Sequence, residues 1–368
     1  MAGIRGGRLR WRYAAALAAG FVLVAAAPAS AAGPWRLEAS RTRDGLTLSA
    51  VSCTSTGWCA AVGYESDETQ GLASKPYAES GDGSVWTVAP TSGPKSSELT
   101  SVSCIASDWC QAVGNNVDRP NSLIERWNGR AWSPVSSPVA HGDLTGVSCT
   151  SRQFCIAVGS ALKSTGPALV ERWNGTKWSV VPSPLMGLGT GLTSVACVSP
   201  TWCVAVGFYA YNTSRSRGAA ALVEEWNGKA WKIAPSPHPG SYPPVILYAV
   251  DCVSPTWCMA GGQAETGALI EHWNGRAWTI MGHPSGVTGK AIGAAVWGIS
   301  CVSQTACVAV GYNVPLAESW NGTVWSRMSA VDGWDAQGAP PQYFSGVSCI
   351  TASLCKTVGD GNAIATSG

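Results

Sequence analysis

Residues 144–184 read LTGVSCTSRQFCIAVGSALKSTGPALVERWNGTKWSVVPSP, and this stretch decides the fold. Leu144 to Cys149 is a short alternating strand, designated a. Cys155 to Gly159 is strand b, an apolar run ended by glycine. Ala168 to Trp173 is strand c. Asn174-Gly175 follows it, a strong short hairpin signal because the favoured two-residue turn needs positive φ at both central positions. Trp178 to Pro182 is strand d, closed by a proline that has no N–H for a further strand and therefore belongs at a sheet edge. Such a small sheet cannot bury its own faces and must stack against others like it.

The cysteines show how many others there are. They fall as Cys53/Cys59, Cys104/Cys110, Cys149/Cys155, Cys197/Cys203, Cys252/Cys258, Cys301/Cys307 and Cys349/Cys355, each pair spaced C-x5-C and recurring every 45 to 55 residues. A fixed period of that size marks a propeller, solenoid or array. The W-N-G turn recurs at Trp127, Trp226, Trp273 and Trp320, with Gly81-Asp82-Gly83 in its place in the first repeat. Two residues into strand b stands Ala61, Ala112, Ala157, Ala205, Ala260, Ala309 or Thr357. Blades converging on an axis require small residues there. The expected fold is all-β: a seven-bladed β-propeller of four-stranded antiparallel blades, with repeats at about 46–94, 95–140, 141–188, 189–240, 241–290, 291–330 and 331–368.

The last repeat supplies strands a, b and c only, ending at Gly368. Trp35 to Ser40 resembles an orphan strand d. The N-terminal strand, at 34–40, is therefore expected to complete the last blade against Ala363 to Ser367 and so close the ring, removing open sheet edges.

Residues 1–31 read as an export leader: Arg5, Arg8, Arg10 and Arg12, an apolar run from Ala14 to Ala27, and the small-x-small site Ala29-Ser30-Ala31. The mature chain, 32–368, is expected to be one secreted domain, extracellular and monomeric, with no membrane insertion after cleavage. The full chain has 24 basic and 22 acidic residues; losing four arginines leaves 20 against 22, a net charge near −2. That balance offers no footprint for nucleic acid. With 43 Gly, 22 Pro and 19 Trp and no long apolar helical periodicity, the composition suits many short strands and turns.

Strand b ending in Val158-Gly159, then Trp173, then Trp178, resembles the blades of Kelch and galactose-oxidase-like propellers. The resemblance extends over nearly the whole mature chain and implies the fold, with little bearing on function. The Kelch double glycine is present only at Gly261-Gly262, and the copper ligands of galactose oxidase cannot be placed on this chain. A narrower resemblance concerns E-x-W-N-G-x-x-W, in which Glu125, Glu171, Glu224, Glu271 and Glu318 precede the turn Trp by two residues and Glu79 holds the same place in the first repeat. It is similar to the sugar sites of Aleuria-type fucose lectins, which implies one site per blade, with Trp stacked on a sugar and Glu accepting its hydroxyls. Those lectins also use an Arg on the preceding strand, where this chain has Ala-Val-Gly. The other reading has both Trp residues packed between blades and the Glu bonded within the protein.

Each C-x5-C pair spans the a–b turn, which brings two strands side by side, and the leader directs the chain to an oxidising compartment. A disulfide within each hairpin is the preferred reading, worth roughly 2.4 kcal/mol for so short a loop. Bridges between repeats and metal thiolates are the alternatives; zinc sites more usually pair C-x2–4-C with histidines. His141, His238, His272 and His283 lie in different repeats, and no nucleophile elbow, metalloprotease, Ca²⁺ or phosphate-loop motif occurs. No cofactor or metal is expected, and no catalytic residue is assigned. An enzyme, a hydrolase or oxidase with residues converging at the channel mouth, is the alternative to a binding protein.

Topology puts the b–c and d–a loops on one face, and these vary from repeat to repeat. Binding residues concentrate on loops carried by a rigid scaffold. The candidate ligand residues are Tyr209, Tyr211, Arg215 and Arg217 in 208–218, Tyr242 in 237–244, and Asp332, Trp334, Asp335 and Tyr343 in 329–344. The expected function is an extracellular binding or scaffold protein taking a glycan or protein partner on that face.

Overall fold

The structure is a computed structural model, and it describes residues 35–38, 45–55, 57–67, 72–82, 85–116, 118, 121–139, 141–161, 165–212, 217–237, 244–265, 267–281, 294–312, 317–328, 343–359 and 363–367. The leader at 1–31 lies outside them. The strands form seven four-stranded antiparallel sheets, each in the order a-b-c-d. In blade 3 the strands are Gly142–Ser151, Phe154–Ala161, Leu169–Trp173 and Trp178–Val180.

The hairpin forms where the sequence implies, but through four residues, 174–177, between the paired Trp173 and Trp178, and Asn174 does not take a positive φ. Gly175 sits at φ +96°, a conformation that side chains resist. Asn174 Oδ1 accepts the N–H groups of Thr176 and Lys177, so the side chain satisfies the turn it starts.

All seven cysteine pairs are disulfides within their own a–b hairpins. Cys149 stands directly opposite Cys155, and the two are bonded, with Cα atoms 4.0 Å apart. Cys53–Cys59, Cys104–Cys110, Cys197–Cys203, Cys252–Cys258, Cys301–Cys307 and Cys349–Cys355 repeat that arrangement. The two halves of each bridge differ in setting. The strand-a cysteines, from Cys53 to Cys349, are half-buried. The strand-b cysteines, Cys59, Cys110, Cys155, Cys203, Cys258, Cys307 and Cys355, are buried. Each packs against the preceding blade, as Cys110 does with Ala60 and Val62, and Cys203 with Ile156 and Val158. Cys258 likewise joins Val204 and Val206, Cys307 joins Met259, and Cys355 joins Val308 and Val310. The strand-b cysteines are therefore core residues of the blade junctions. Seven such bridges suit an oxidising, extracellular environment. Among the described residues, no helix is long and apolar enough to cross a membrane.

One irregularity repeats in every blade and shapes the axis. In blade 3, Leu144 pairs with Gly159 and Gly146 with Val158, so Thr145 is an extra residue bulged out of strand a. A Cβ on Gly159 would lie 1.8 Å from the Asp143 carbonyl oxygen, which is why strand b carries a glycine beside the bulge. The bulged residues are Ser49, Thr100, Thr145, Thr193, Tyr248, Trp297 and Ser345.

The cores lie between blades. Val158 and Val170 of blade 3, for example, pack with Ala205, Leu222, Trp226 and Trp231 of blade 4. The small strand-b residues, from Ala61 to Thr357, are all fully buried, as a taper toward the axis requires.

The ring closes through its termini. Trp35, Arg36 and Leu37 pair with Ser367, Thr366 and Ala365, so the closing strand is Trp35–Leu37, within the expected 34–40. Much of the segment 208–218, expected to be a loop, is strand. Residues 208–212 and 217–218 lie in the paired strands Trp202–Asn212 and Arg217–Trp226, in register to Asn212 opposite Arg217. The ladder runs on past Gly207, with Phe208 opposite Ala221 and Tyr209 opposite Ala220. Residues 64–67 and 72–77 belong to the strands Cys59–Asp67 and Leu72–Gly81.

Candidate binding site at the channel mouth

The repeated E-x-W-N-G-x-x-W element is spent on structure. The turn Trp caps its own blade: Trp173 Nε1 donates to Arg152 O at 2.9 Å, and Trp127, Trp226, Trp273 and Trp320 do the same to Ser107, Pro200, Pro255 and Gln304. This also brings the a–b and c–d turns together on one face. The strand-d Trp is buried at each blade junction, Trp178 being 3% exposed. Glu79, Glu125, Glu171, Glu224, Glu271 and Glu318 are fully buried. Ser137 donates to Glu171 at 2.7 Å, Ser183 to Glu224 at 2.9 Å and Ser236 to Glu271 at 3.0 Å, each hydroxyl coming from the preceding blade. Loss of hydration pushes these three carboxyls up to about 7, against the pull of the serine hydroxyls. Glutamates sealed in this way offer nothing to a sugar, which answers the lectin-like reading of this element.

Four of the seven bulged residues have structural duties too. Thr100 Oγ1 lies 3.1 Å from Val113 O in its own blade and 2.8 Å from Leu144 O in the next. Thr145, Thr193 and Ser345 make the same bridge, to Leu192, Leu247 and Leu48. These hydroxyls stitch neighbouring blades around the axis. Blades 5 and 6 carry Tyr248 and Trp297 at this position. Tyr248 turns its hydroxyl to Gln263 Oε1 at 3.4 Å, and Trp297 has none to give.

Trp297 instead anchors an aromatic cluster. Its ring stacks on Tyr312 at 5.3 Å and 17°, and meets Tyr343 edge-on at 5.2 Å and 65°. Tyr312 and Tyr343 are bridged through their backbones. All three are half-buried. Tyr312 ends strand b of blade 6, and Tyr343 immediately precedes strand a of blade 7, so the cluster lies on the variable-loop face. It stands at the mouth of an axial channel of about 160 Å³, whose lining includes all seven bulged residues and, among the described residues, no charged one.

One ring further along strand a, Ser52, Ser103, Ser148, Ser300 and Ser348 each accept the backbone N–H of the next blade's cysteine. Ala196 breaks this ring and Asp251 repairs it. One of its oxygens takes the Cys301 N–H at 2.7 Å, and the other takes the Cys252 N–H that Ala196 cannot accept. Loss of hydration raises the Asp251 carboxyl to about 6, against the pull of these two amides.

Of the residues singled out from sequence, Tyr343 lies in the cluster. Tyr209 and Tyr211 lie on the projecting hairpin of blade 4, ring centroids 6.5 Å apart and partly exposed. Arg217 begins the return strand of that hairpin, paired with Asn212. Arg215, Tyr242, Asp332, Trp334 and Asp335 lie outside the described residues. The paired cysteines stand apart from the mouth: Cys110, Cys203, Cys258, Cys307 and Cys355, with Cys59 and Cys155, are sealed between blades near the a–b turns, at the opposite end of strand b. Sequence reasoning missed Tyr248, Trp297 and Tyr312. The signal for the first two was there: the residue four before the strand-a cysteine is Ser or Thr in five repeats and aromatic in two.

No family model matches the chain, and no curated protein matches it in sequence. Among solved structures it is similar to the WD40 β-propeller domain of Doa1, at TM-score 0.60 and 14% identity, covering 91% of this chain and 97% of that one. It is similar to YCF48 bound to D1 peptide, at 0.59 and 12%, covering 94% and 99%. It is also similar to YCF48 from Cyanidioschyzon merolae, at 0.57 and 12%, covering 91% and 99%. These likenesses establish a β-propeller, a fold suited to holding partners on its faces.

Proposed function

We propose that this is a secreted, monomeric binding protein that seats a segment of a protein partner across the channel mouth, on Trp297, Tyr312 and Tyr343. The observation that carries this reading is the exchange of two neighbouring ring hydroxyls for large aromatics. Each exchange gives up an inter-blade hydrogen bond, worth about 1 kcal/mol, and leaves a large ring half-exposed. Natural chains break a local structural rule of this kind chiefly at functional sites. Aromatics on a rigid scaffold are also the usual anchors of protein interfaces. The similar propeller YCF48 is known with a bound peptide, which supports a protein segment over a glycan. Tyr209, Tyr211 and Arg217 on the blade 4 hairpin, with Arg215, Tyr242, Asp332, Trp334 and Asp335, would extend the contact beyond the mouth. Export by the leader at 1–31 and the Kelch-like blade motif belong to the same reading.

The test is Trp297→Thr, which restores the ring hydroxyl. The variant is expected to melt at or above the wild-type temperature while losing the extracellular proteins that the wild type retains. A variant that retains the same partners, or a wild type that binds saccharides on a glycan array and no protein, overturns the reading.

A further inference from the structure

The size and chemistry of the channel narrow the ligand. A volume of about 160 Å³ is well below the 300–1,000 Å³ or so that encloses a whole small ligand. It is close to the engineered cavity of about 150 Å³ that holds benzene. One side chain fits there, with the rest of its chain lying across the rim.

The lining is rich in electron density. Each of Thr100, Thr145, Thr193 and Ser345 has a single hydroxyl proton, directed to a backbone carbonyl, and keeps its lone pairs as acceptors. Tyr248 and Trp297 line the channel, and Tyr312 and Tyr343 pack on Trp297; aromatic ring faces such as these carry negative potential. Among the described residues, no lysine or arginine lines the channel. The Asp251 carboxylate stands three residues along strand a from Tyr248, held by two backbone N–H groups and no cation. Ser101 and Ser194 are the counterweight. They accept the N–H groups of Val147 and Val250 and so keep hydroxyl protons that a neutral group could use. Aromatic faces, lone pairs and the absence of any lining cation all favour positive charge.

Resting on the function proposed above, we propose that the channel mouth is a socket for one basic side chain, lysine or arginine, presented by the partner protein. The aliphatic stem lies against Trp297 and Tyr343, and the charged head reaches the hydroxyl ring.

Calorimetry on the full mature chain at physiological salt tests this with three probes: N-acetyl-lysine methylamide, N-acetyl-arginine methylamide and the uncharged N-acetyl-norleucine methylamide. A basic probe is expected to bind roughly tenfold or more tighter than the norleucine probe, and Trp297→Thr to abolish the difference. Equal or tighter binding of norleucine overturns the basic-side-chain assignment while leaving the protein-segment reading intact. Detectable binding by none of the probes overturns the socket. Unchanged basic-probe binding by Trp297→Thr overturns both the socket and the site on which it rests.

Discussion

Glu38 and Lys356 form an ion pair in the seam where the two ends of the chain meet, with side chains only 6% and 5% exposed. Glu38 follows the closing strand, Lys356 lies on strand b of the same blade, and Trp86 of blade 1 donates its indole N–H to the second Glu38 oxygen at 2.5 Å. In the other six blades the position of Glu38 holds Ala89, Val135, Val181, Ala234, Met281 or Met328. The position of Lys356 holds Ala60, Gln111, Ile156, Val204, Met259 or Val308. The remaining strand-d indoles, Trp35, Trp132, Trp178, Trp231, Trp278 and Trp325, have no hydrogen-bond partner among the described residues. The charged lock thus occurs at the one junction that chain connectivity does not enforce, and it disfavours burying the strand anywhere lacking the complementary charge.

Removing one partner strands a buried charge, so Glu38→Val or Lys356→Val alone should cost about 3–5 kcal/mol. The double variant, which copies the apolar pairing of the other blades, should recover most of that loss. Denaturant unfolding of the four proteins checks it; additive losses would show that the two residues do not act as a pair.

A chain beginning at Arg43 lacks the closing strand while keeping every cysteine, and should aggregate or melt lower because blade 7 then ends in an open edge. Deletions in 64–77 are no neutral control, since Ser74 and Tyr77 are buried in strand c of blade 1. Light scattering and thermal melts of the truncated and whole mature chains decide the point.

Thiol titration of the unfolded, unreduced protein should find no free cysteine, and peptide mapping should join Cys149 to Cys155 and the other six pairs likewise. In the folded protein the buried strand-b sulfurs, such as those of Cys110 and Cys258, should resist reductant until the blades separate. A peptide linking cysteines of different blades would refute the hairpin assignment.

Stability should fall as pH rises from about 4.5 to neutrality. Glu171, Glu224 and Glu271 sit at about 7 in the folded protein, above the ordinary 4.5, so the native state binds protons more tightly than the unfolded one. The resulting stabilisation is complete below about pH 4.5, is lost between there and pH 7, and is absent above. Asp251, raised to about 6, acts in the same direction. Melting temperatures at pH 5 and pH 8 should differ accordingly, and Glu171→Gln should flatten the difference.

Trp178→Ala should destabilise by roughly 3–5 kcal/mol, since it empties a blade junction. Tyr211→Ala, on the partly exposed hairpin, should leave the melt nearly unchanged. Comparable losses in both would mean that the hairpin is part of the core.

What the sequence determined by itself is the repeating local order. The C-x5-C spacing places two cysteines opposite each other across a tight hairpin, Asn174-Gly175 turns strand c into strand d, and the alanines of strand b permit convergence on an axis. Each depends on contacts within a few residues or on a pattern repeated seven times, so each is legible along one dimension. The orphan Trp35 strand was legible too, because a ring lacking one strand must take it from the other terminus. What only the tertiary structure decided depends on neighbouring blades. The strand-a bulge turns Trp297 to the axis, beside Tyr312 of its own blade and Tyr343 of the next. Glu171 meets Ser137 across 34 residues, and Glu38 meets Lys356 across 318. No local pattern encodes such distances: in sequence the six buried glutamates look like one repeated carboxylate row, and only burial shows that they belong to the blade junctions rather than to a ligand.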